Sequence, residues 1–165
     1  GGMPAAALVL VDIVPKINPE GAGKIGAFMT ANPDGFATLE EASDAAAAYQ
    51  PHRPRPKDPS GLMRNLRKGP NGRLFWHWDP AFMQGRDTDG TARRMEAAAP
   101  AITAPTLLVR GQQSDVVDDE GVAHFRALIP NSEYVDVEGA GHMVAGDRND
   151  SFGAAILSFL GRLPE

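Results

Sequence analysis

The sequence contains no cysteine among its 165 residues. Disulfide bonds and thiol chemistry are therefore excluded, and cysteine usage gives no information on the redox compartment. A run of about 18 apolar residues and a signal-peptide pattern are also missing, so no membrane span is expected and the cytoplasm is the default location. Positive charge is not in excess: 16 Lys and Arg stand against 21 Asp and Glu. This acidic balance argues against a general nucleic-acid binder.

The composition is typical of one soluble globular domain, with 42% hydrophobic and 22% charged residues. A chain of this length can bury a sizeable core. Zinc requires three or four converging ligands, and the sequence has neither a His-Glu-x-x-His motif nor a closely spaced histidine pair. No metal and no cofactor are therefore expected.

A buried strand followed by an aspartate marks the C-terminal half of the chain. The near-continuous apolar run Thr106–Arg110 is typical of a strand covered on both faces. A turn at Gly111 then leads to Asp115. The helix predicted next, over 118–129, begins with three acidic residues, which the helix dipole favours in a first turn.

The following strand ends in a glycine-rich loop that carries a histidine. Alternating residues over 134–137 precede Gly139 and Gly141, which allow a sharp turn, and His142 comes next. Histidine suits general-base chemistry near neutral pH. Ligands of parallel α/β sheets bind beyond the carboxyl ends of the strands, so we expect Asp115 and His142 to meet at that edge.

A second aspartate competes with Asp115 for the role of partner to the histidine. Leu8–Val11 reads as another buried strand, and Asp12 ends it. Asp115 is preferred because its strand is the predicted neighbour of the histidine strand. The alternative role for Asp12 is that of a turn former whose side chain hydrogen-bonds nearby backbone.

The long segment between the first two strands interrupts the alternation of strand and helix. We divide the chain into a sheet region, residues 4–15 and 101–165, and a helical insert, residues 16–100. The predicted helices lie near 25–29, after the capping-box spacing Thr38-x-x-Glu41, over 60–68 and over 91–99. Four prolines over 51–59 exclude a helix interior there. A last amphipathic helix is predicted over 147–163.

Most of the aromatic residues cluster in the insert. They form either a hydrophobic wall over a substrate or the insert's own small core. The predicted substrate-binding residues are Trp76, Trp78, Phe82 and Met143.

Three segments in this order resemble the C-terminal portion of an α/β-hydrolase: 7–15 with Asp12, 105–115 with Gly111 and Asp115, and 139–142 with His142. The resemblance covers nearly the whole chain. It implies an α/β fold class, with a partial α/β-hydrolase sheet of about three parallel strands and a helical cap inserted between strands. In that family the triad runs in the order nucleophile, acid, histidine. The resemblance therefore implies that Asp115 is the acid and His142 the base.

The family's Gly-x-Ser-x-Gly nucleophile motif does not occur in the 165 residues, and none of the six serines stands in a strand–elbow–helix context. Gly1-Gly2-Met3 is either a remnant of an expression tag or the end of such an elbow. The resemblance implies hydrolysis of a small hydrophobic, ester-like substrate, with the chain alone expected to be inactive. An aspartate nucleophile, as in epoxide hydrolases and dehalogenases, stays open, although Tyr49 alone among the tyrosines lies in the cap.

A non-catalytic role is the alternative, in which a truncated hydrolase half serves as a binding or assembly module. The first strand would be an uncovered sheet edge, which invites association. We therefore expect a homo-oligomer, a strand swap or a complementing N-terminal fragment, and no nucleic-acid or membrane partner.

Overall fold

The computed structural model describes residues 5–83, 85 and 87–163. Pro4, where the predicted sheet region begins, and both interpretations of Gly1-Gly2-Met3 lie outside these residues. The chain divides into two compact units. The first combines the residues up to Ala22 with those from Asp87 onward, and the second consists of the residues between them.

Five strands and six α-helices form the described part of the chain. The strands are β1 (Leu8–Val11), β2 (Leu66–Lys68), β3 (Leu74–Trp76), β4 (Thr106–Gly111) and β5 (Glu133–Val137). The α-helices are α1 (Pro19–Thr30), α2 (Leu39–Tyr49), α3 (Thr88–Ala98), α4 (Asp119–Leu128), α5 (Val144–Asp147) and α6 (Asn149–Leu160). Short 3-10 helices cover Pro59–Asn65, Pro80–Met83 and Ala99–Ala101.

The first unit is built on a three-stranded sheet in the order β1-β4-β5. Both pairings are parallel, with Leu8 opposite Thr106 and Leu107 opposite Glu133. All six residues of the central strand β4 are buried, as its continuous apolar run predicts. The three predicted parallel strands are therefore confirmed, and their carboxyl ends share one edge.

The core of the first unit lies against this sheet. Its buried members are Leu107, Val109, Val137, Ala140, Val144 and Phe159. The helix predicted over 147–163 is confirmed as α6, which is shorter at both ends and is preceded by α5 and a break at Arg148. α3 belongs to this unit, although its residues fall in the predicted insert.

The second unit contains α2 and an antiparallel ribbon of β2 and β3. The helix predicted over 60–68 is only partly confirmed, because a 3-10 helix covers Pro59–Asn65 and the last three residues form β2. A turn closes the ribbon: Gly69 N–H donates to the Arg73 carbonyl at 2.8 Å, and Gly72 has a φ of +79°. The buried core of this unit consists of Phe36, Ala42, Leu66 and Trp76.

The predicted capping box at the start of α2 is confirmed. Glu41 N–H donates to Thr38 Oγ1 at 3.1 Å, and the Glu41 carboxylate accepts from Ala37 N–H at 2.7 Å. The first bond satisfies a backbone donor that the first turn of the helix leaves without a partner, and the second ties the residue before the N-cap to the helix.

Candidate active site

A histidine and an aspartate meet where β1 and β5 end. Nδ1 of His142 lies 2.7 Å from Oδ2 of Asp12, although the two residues are 130 positions apart. Asp12 follows β1 directly and is buried, while about a third of the His142 side chain is exposed. The parallel order β1-β4-β5 brings both strand ends to one edge of the sheet.

Two further donors bind the carboxylate of Asp12. Gly111 N–H donates to Oδ1 at 3.1 Å, and Ser114 Oγ donates to Oδ2 at 2.6 Å. A buried carboxylate without such partners would be strongly destabilising. The backbone of Asp12 has a φ of +49°, a left-handed conformation that aspartate tolerates better than most residues.

Gly111 allows the histidine loop to approach the end of β4. A Cβ atom at this position would lie 2.0 Å from the carbonyl oxygen of Gly141 and 2.7 Å from that of Ala140. The loop is fixed on its other side, because Gly141 N–H donates to Asp147 Oδ2 at 2.8 Å. The backbone that carries His142 is therefore held from both sides.

The arrangement leaves one nitrogen of His142 for chemistry. Because a carboxylate accepts hydrogen bonds, Nδ1 is the protonated nitrogen of the neutral ring. Nε2 then carries the lone pair that can accept a proton. This is the role of histidine in hydrolytic triads, where the acid holds the tautomer and stabilises the imidazolium.

The predicted acid, Asp115, is placed differently. Asp115 is exposed. The hydrogen bond to His142 that was expected of the acid is made by Asp12, which was the alternative candidate from the sequence. A turn after β4, closed by the bond from Ser114 N–H to the Gly111 carbonyl at 2.8 Å, points the Ser114 side chain at Asp12. Because Asp12 is a carboxylate hydrogen-bonded to His142, Asp12 replaces Asp115 as the proposed acid.

Sequence reasoning did not single out Ser114 and Gly111 as parts of the site. The signal for Asp12 was available, since it follows a strand directly, as His142 does after a short loop. No comparable signal exists for Ser114, because its contact with Asp12 depends on the conformation of the turn after β4.

The four predicted substrate-binding residues are distributed over both units. Trp76 is buried in the second unit, where its ring lies 4.9 Å from that of Trp78 and 5.3 Å from that of Phe36. Phe82 is 57% exposed, and Met143, next to His142 in the first unit, is 51% exposed. Binding of a substrate by these residues stays a prediction.

Two further features concern the described part of the chain. No group of three or more His, Cys, Asp or Glu side chains there could hold a metal ion. No described helix combines the length and apolar character needed to cross a membrane.

The chain is similar in sequence to known hydrolases. No family model matches the chain. It is 32% identical over 152 residues to a 3-hydroxybutyrate-oligomer hydrolase of Cupriavidus necator, covering 84% of this chain and 51% of that protein. It is 30% identical over 150 residues to esterase Rv0045c of Mycobacterium tuberculosis, covering 86% of this chain and 48% of the esterase.

The structure of the chain is also similar to solved structures of hydrolases. An E-2-(acetamidomethylene)succinate hydrolase superposes with a TM-score of 0.76 at 25% identity, over 94% of this chain and 57% of that protein. The chain spans about half the length of the curated relatives it matches. The resemblance stated from the sequence is confirmed, and the chain has a partial α/β-hydrolase fold.

Proposed function

We propose that this chain supplies the base and the acid of an ester-type acyl hydrolase, with His142 as base and Asp12 as acid. The observation that carries the proposal is the 2.7 Å hydrogen bond between His142 Nδ1 and buried Asp12. The names of the two curated relatives, an oligomer hydrolase and an esterase, support the same reaction class.

The mechanism is two-step acyl transfer. A serine hydroxyl transfers its proton to Nε2 of His142 and attacks the ester carbonyl, and the imidazolium then gives that proton to the leaving alcohol. Water hydrolyses the acyl intermediate by the same proton route. Asp12 stabilises the imidazolium in both steps. The nucleophile comes from a Gly-x-Ser-x-Gly elbow that the 165 residues do not contain.

The substrate is a small ester with a hydrophobic part. Met143 is an exposed apolar side chain next to His142 in the first unit, and we assign it to substrate contact. Phe82 is an exposed apolar side chain of the second unit, and its contact with substrate stays a prediction. Trp76 is buried among aromatic rings of its own unit, so we assign it to that core rather than to the substrate.

A hybrid enzyme tests the proposal. This chain replaces the matching half of the mycobacterial esterase, which then supplies the elbow, and folding is verified by a cooperative thermal transition. We expect saturable hydrolysis of a nitrophenyl butyrate ester. Replacing His142 by Ala should lower kcat by about 10³- to 10⁴-fold or more.

A second histidine provides the matched control. His124 is partly buried in the same unit and contacts Glu96 at 2.9 Å, so His124→Ala should leave kcat nearly unchanged. A folded hybrid whose activity does not depend on His142 would overturn the proposal. A non-catalytic binding or assembly module would then be the better description of the chain.

A further inference from the structure

We propose that Ser114 is a positioning residue that fixes the carboxylate of Asp12 for its hydrogen bond with His142. The inference rests on the proposed function and assigns a role within the same site. Ser114 is buried and its Oγ lies 2.6 Å from Asp12 Oδ2, the same oxygen that His142 Nδ1 contacts at 2.7 Å.

The direction of the Ser114 hydroxyl is set by two backbone donors. Val116 N–H and Val117 N–H both donate to Ser114 Oγ, each at 3.2 Å. A hydroxyl group has one hydrogen and two acceptor positions. With both acceptor positions used, the hydrogen is left to point at Asp12. Ser114 is therefore a donor of fixed direction.

The carboxylate is held at both of its oxygens, by the last residue of β4 and by the turn that follows it. Gly111 N–H binds Oδ1 at 3.1 Å, while Ser114 binds Oδ2. A carboxylate restrained at one oxygen can still rotate, whereas one restrained at both presents Oδ2 to Nδ1 in a single orientation. Preorganised partners of this kind add to catalysis because they need no rearrangement during the reaction.

Ser114 is not suited to be the nucleophile. Its proton is directed at Asp12 rather than at the base, and its oxygen is occupied by two N–H donors. Its effect on the reaction therefore acts through Asp12. The same bonds also hold the backbone turn at 114–117, so the test has to separate positioning from simple stability.

The test uses Ser114→Ala, Ser114→Thr and Ser132→Ala. Ser132 is the matched control, because it is also buried in the first unit and donates to the Ile129 carbonyl at 2.7 Å. Proton NMR of the 165-residue chain should show the Nδ1 proton of His142 as a downfield signal that Asp12→Asn abolishes. Ser114→Ala should shift and broaden this signal, whereas Ser132→Ala should leave it unchanged.

Kinetics in the hybrid enzyme provide the second measurement. Loss of a charge-assisted hydrogen bond predicts a fall of kcat by about 10- to 100-fold in Ser114→Ala, with KM nearly unchanged. Ser114→Thr, which keeps the hydroxyl, should restore most of the rate. A structural role alone would lower the melting temperature without changing kcat of the folded protein.

The outcomes separate the two proposals. If the wild-type chain lacked the downfield signal, the hydrogen bond between Asp12 and His142 would be contradicted, and the proposed function with it. A wild-type signal that persists unchanged in Ser114→Ala would overturn the role of Ser114 and leave the proposed function standing. Should Ser114→Ala fail to fold, Ser114→Thr decides: the signal in a folded protein supports the proposal, and its loss there overturns it.

Discussion

Asp12 combines burial, a left-handed backbone and contacts with three donors. Strained backbone conformations are common at functional sites, and they persist only where the surrounding structure holds them in place. Here the surrounding groups are Gly111, Ser114 and His142. These contacts hold Asp12 in its left-handed conformation, which agrees with the role proposed for its carboxylate.

The choice between the two aspartates can be tested directly. In the hybrid esterase, Asp12→Asn should lower kcat by about 10³- to 10⁴-fold, because the amide disfavours the tautomer that leaves Nε2 free. Asp115→Asn is the matched variant and should change kcat by no more than a few-fold. Nitrophenyl ester kinetics measure both, and a larger loss in Asp115→Asn would return the acid role to that residue.

Gly111 provides a prediction about stability. Gly111→Ala would place a methyl group 2.0 Å from the Gly141 carbonyl oxygen, so the histidine loop must move. We expect a loss of about 1–3 kcal/mol or more in the free energy of unfolding, measured by urea denaturation. Gly153→Ala, in α6 with no atom within 4 Å of the added Cβ, should stabilise the protein slightly. Equal effects of the two substitutions would contradict this explanation.

The histidine was predictable from the sequence, but its partner was not. A strand, two nearby glycines and a histidine identify His142 from local pattern alone. Both Asp12 and Asp115 follow strands, and the pairing of β4 with β5 favours Asp115, so strand order does not identify the observed partner. The direction of the turn at 112–115 decides, and no sequence periodicity encodes it.

At the scale of elements, the start of α4 connects the two segments of the first unit. Asp118 caps the helix by accepting from Gly121 N–H at 2.8 Å, and Asn18 Nδ2 donates to its other oxygen at 3.0 Å. Both bonds lower the pKa of Asp118 below its usual value of 3.8, and the bond from Gly121 has the larger effect. The acidic first turn predicted for this helix is confirmed.

This lowered pKa predicts a dependence of stability on pH. The unfolded chain takes up the proton near pH 3.8, whereas the folded protein takes it up at lower pH. The stabilisation by Asp118 is therefore complete above that value and is lost as the pH falls through the folded-state pKa. Urea midpoints should be higher for wild type than for Asp118→Asn at pH 6, and the difference should shrink as the pH falls below 3.8. A difference that does not shrink on acidification below this pH would contradict the prediction.

Helices with caps and strands with continuous apolar runs were the predictable elements. β4 and the capping box of α2 follow from local sequence. β2 does not, because Leu66, Arg67 and Lys68 suit a helix equally well and become a strand only by pairing with β3. Tertiary pairing overrides such weak local preferences.

At the scale of the whole molecule, β1 is an edge strand among the described residues, since it pairs with β4 alone. Apolar side chains are exposed at and after it, including Val11 at 38% and Ile13 at 45%. Unpaired strand edges with apolar side chains promote association.

We predict that the purified chain associates through β1. Light scattering should show a mass that rises with concentration, and Val11→Lys should reduce it, because a charged side chain on an edge opposes strand pairing. Leu157→Lys is the control, since Leu157 is 72% exposed on α6, away from this edge in the sequence. A monomer at high concentration, or equal effects of both substitutions, would contradict association through β1.

A ribosome makes β1 long before it makes β4, the strand that pairs with it. Asp12 and Gly111, at the ends of these strands, are 99 residues apart, which corresponds to roughly 5–20 s of synthesis at common elongation rates. The whole of the second unit is translated in that interval. Each nascent chain therefore carries the segment Leu8–Val11 without β4 for several seconds, so this apolar strand stays unpaired with β4 during that part of synthesis.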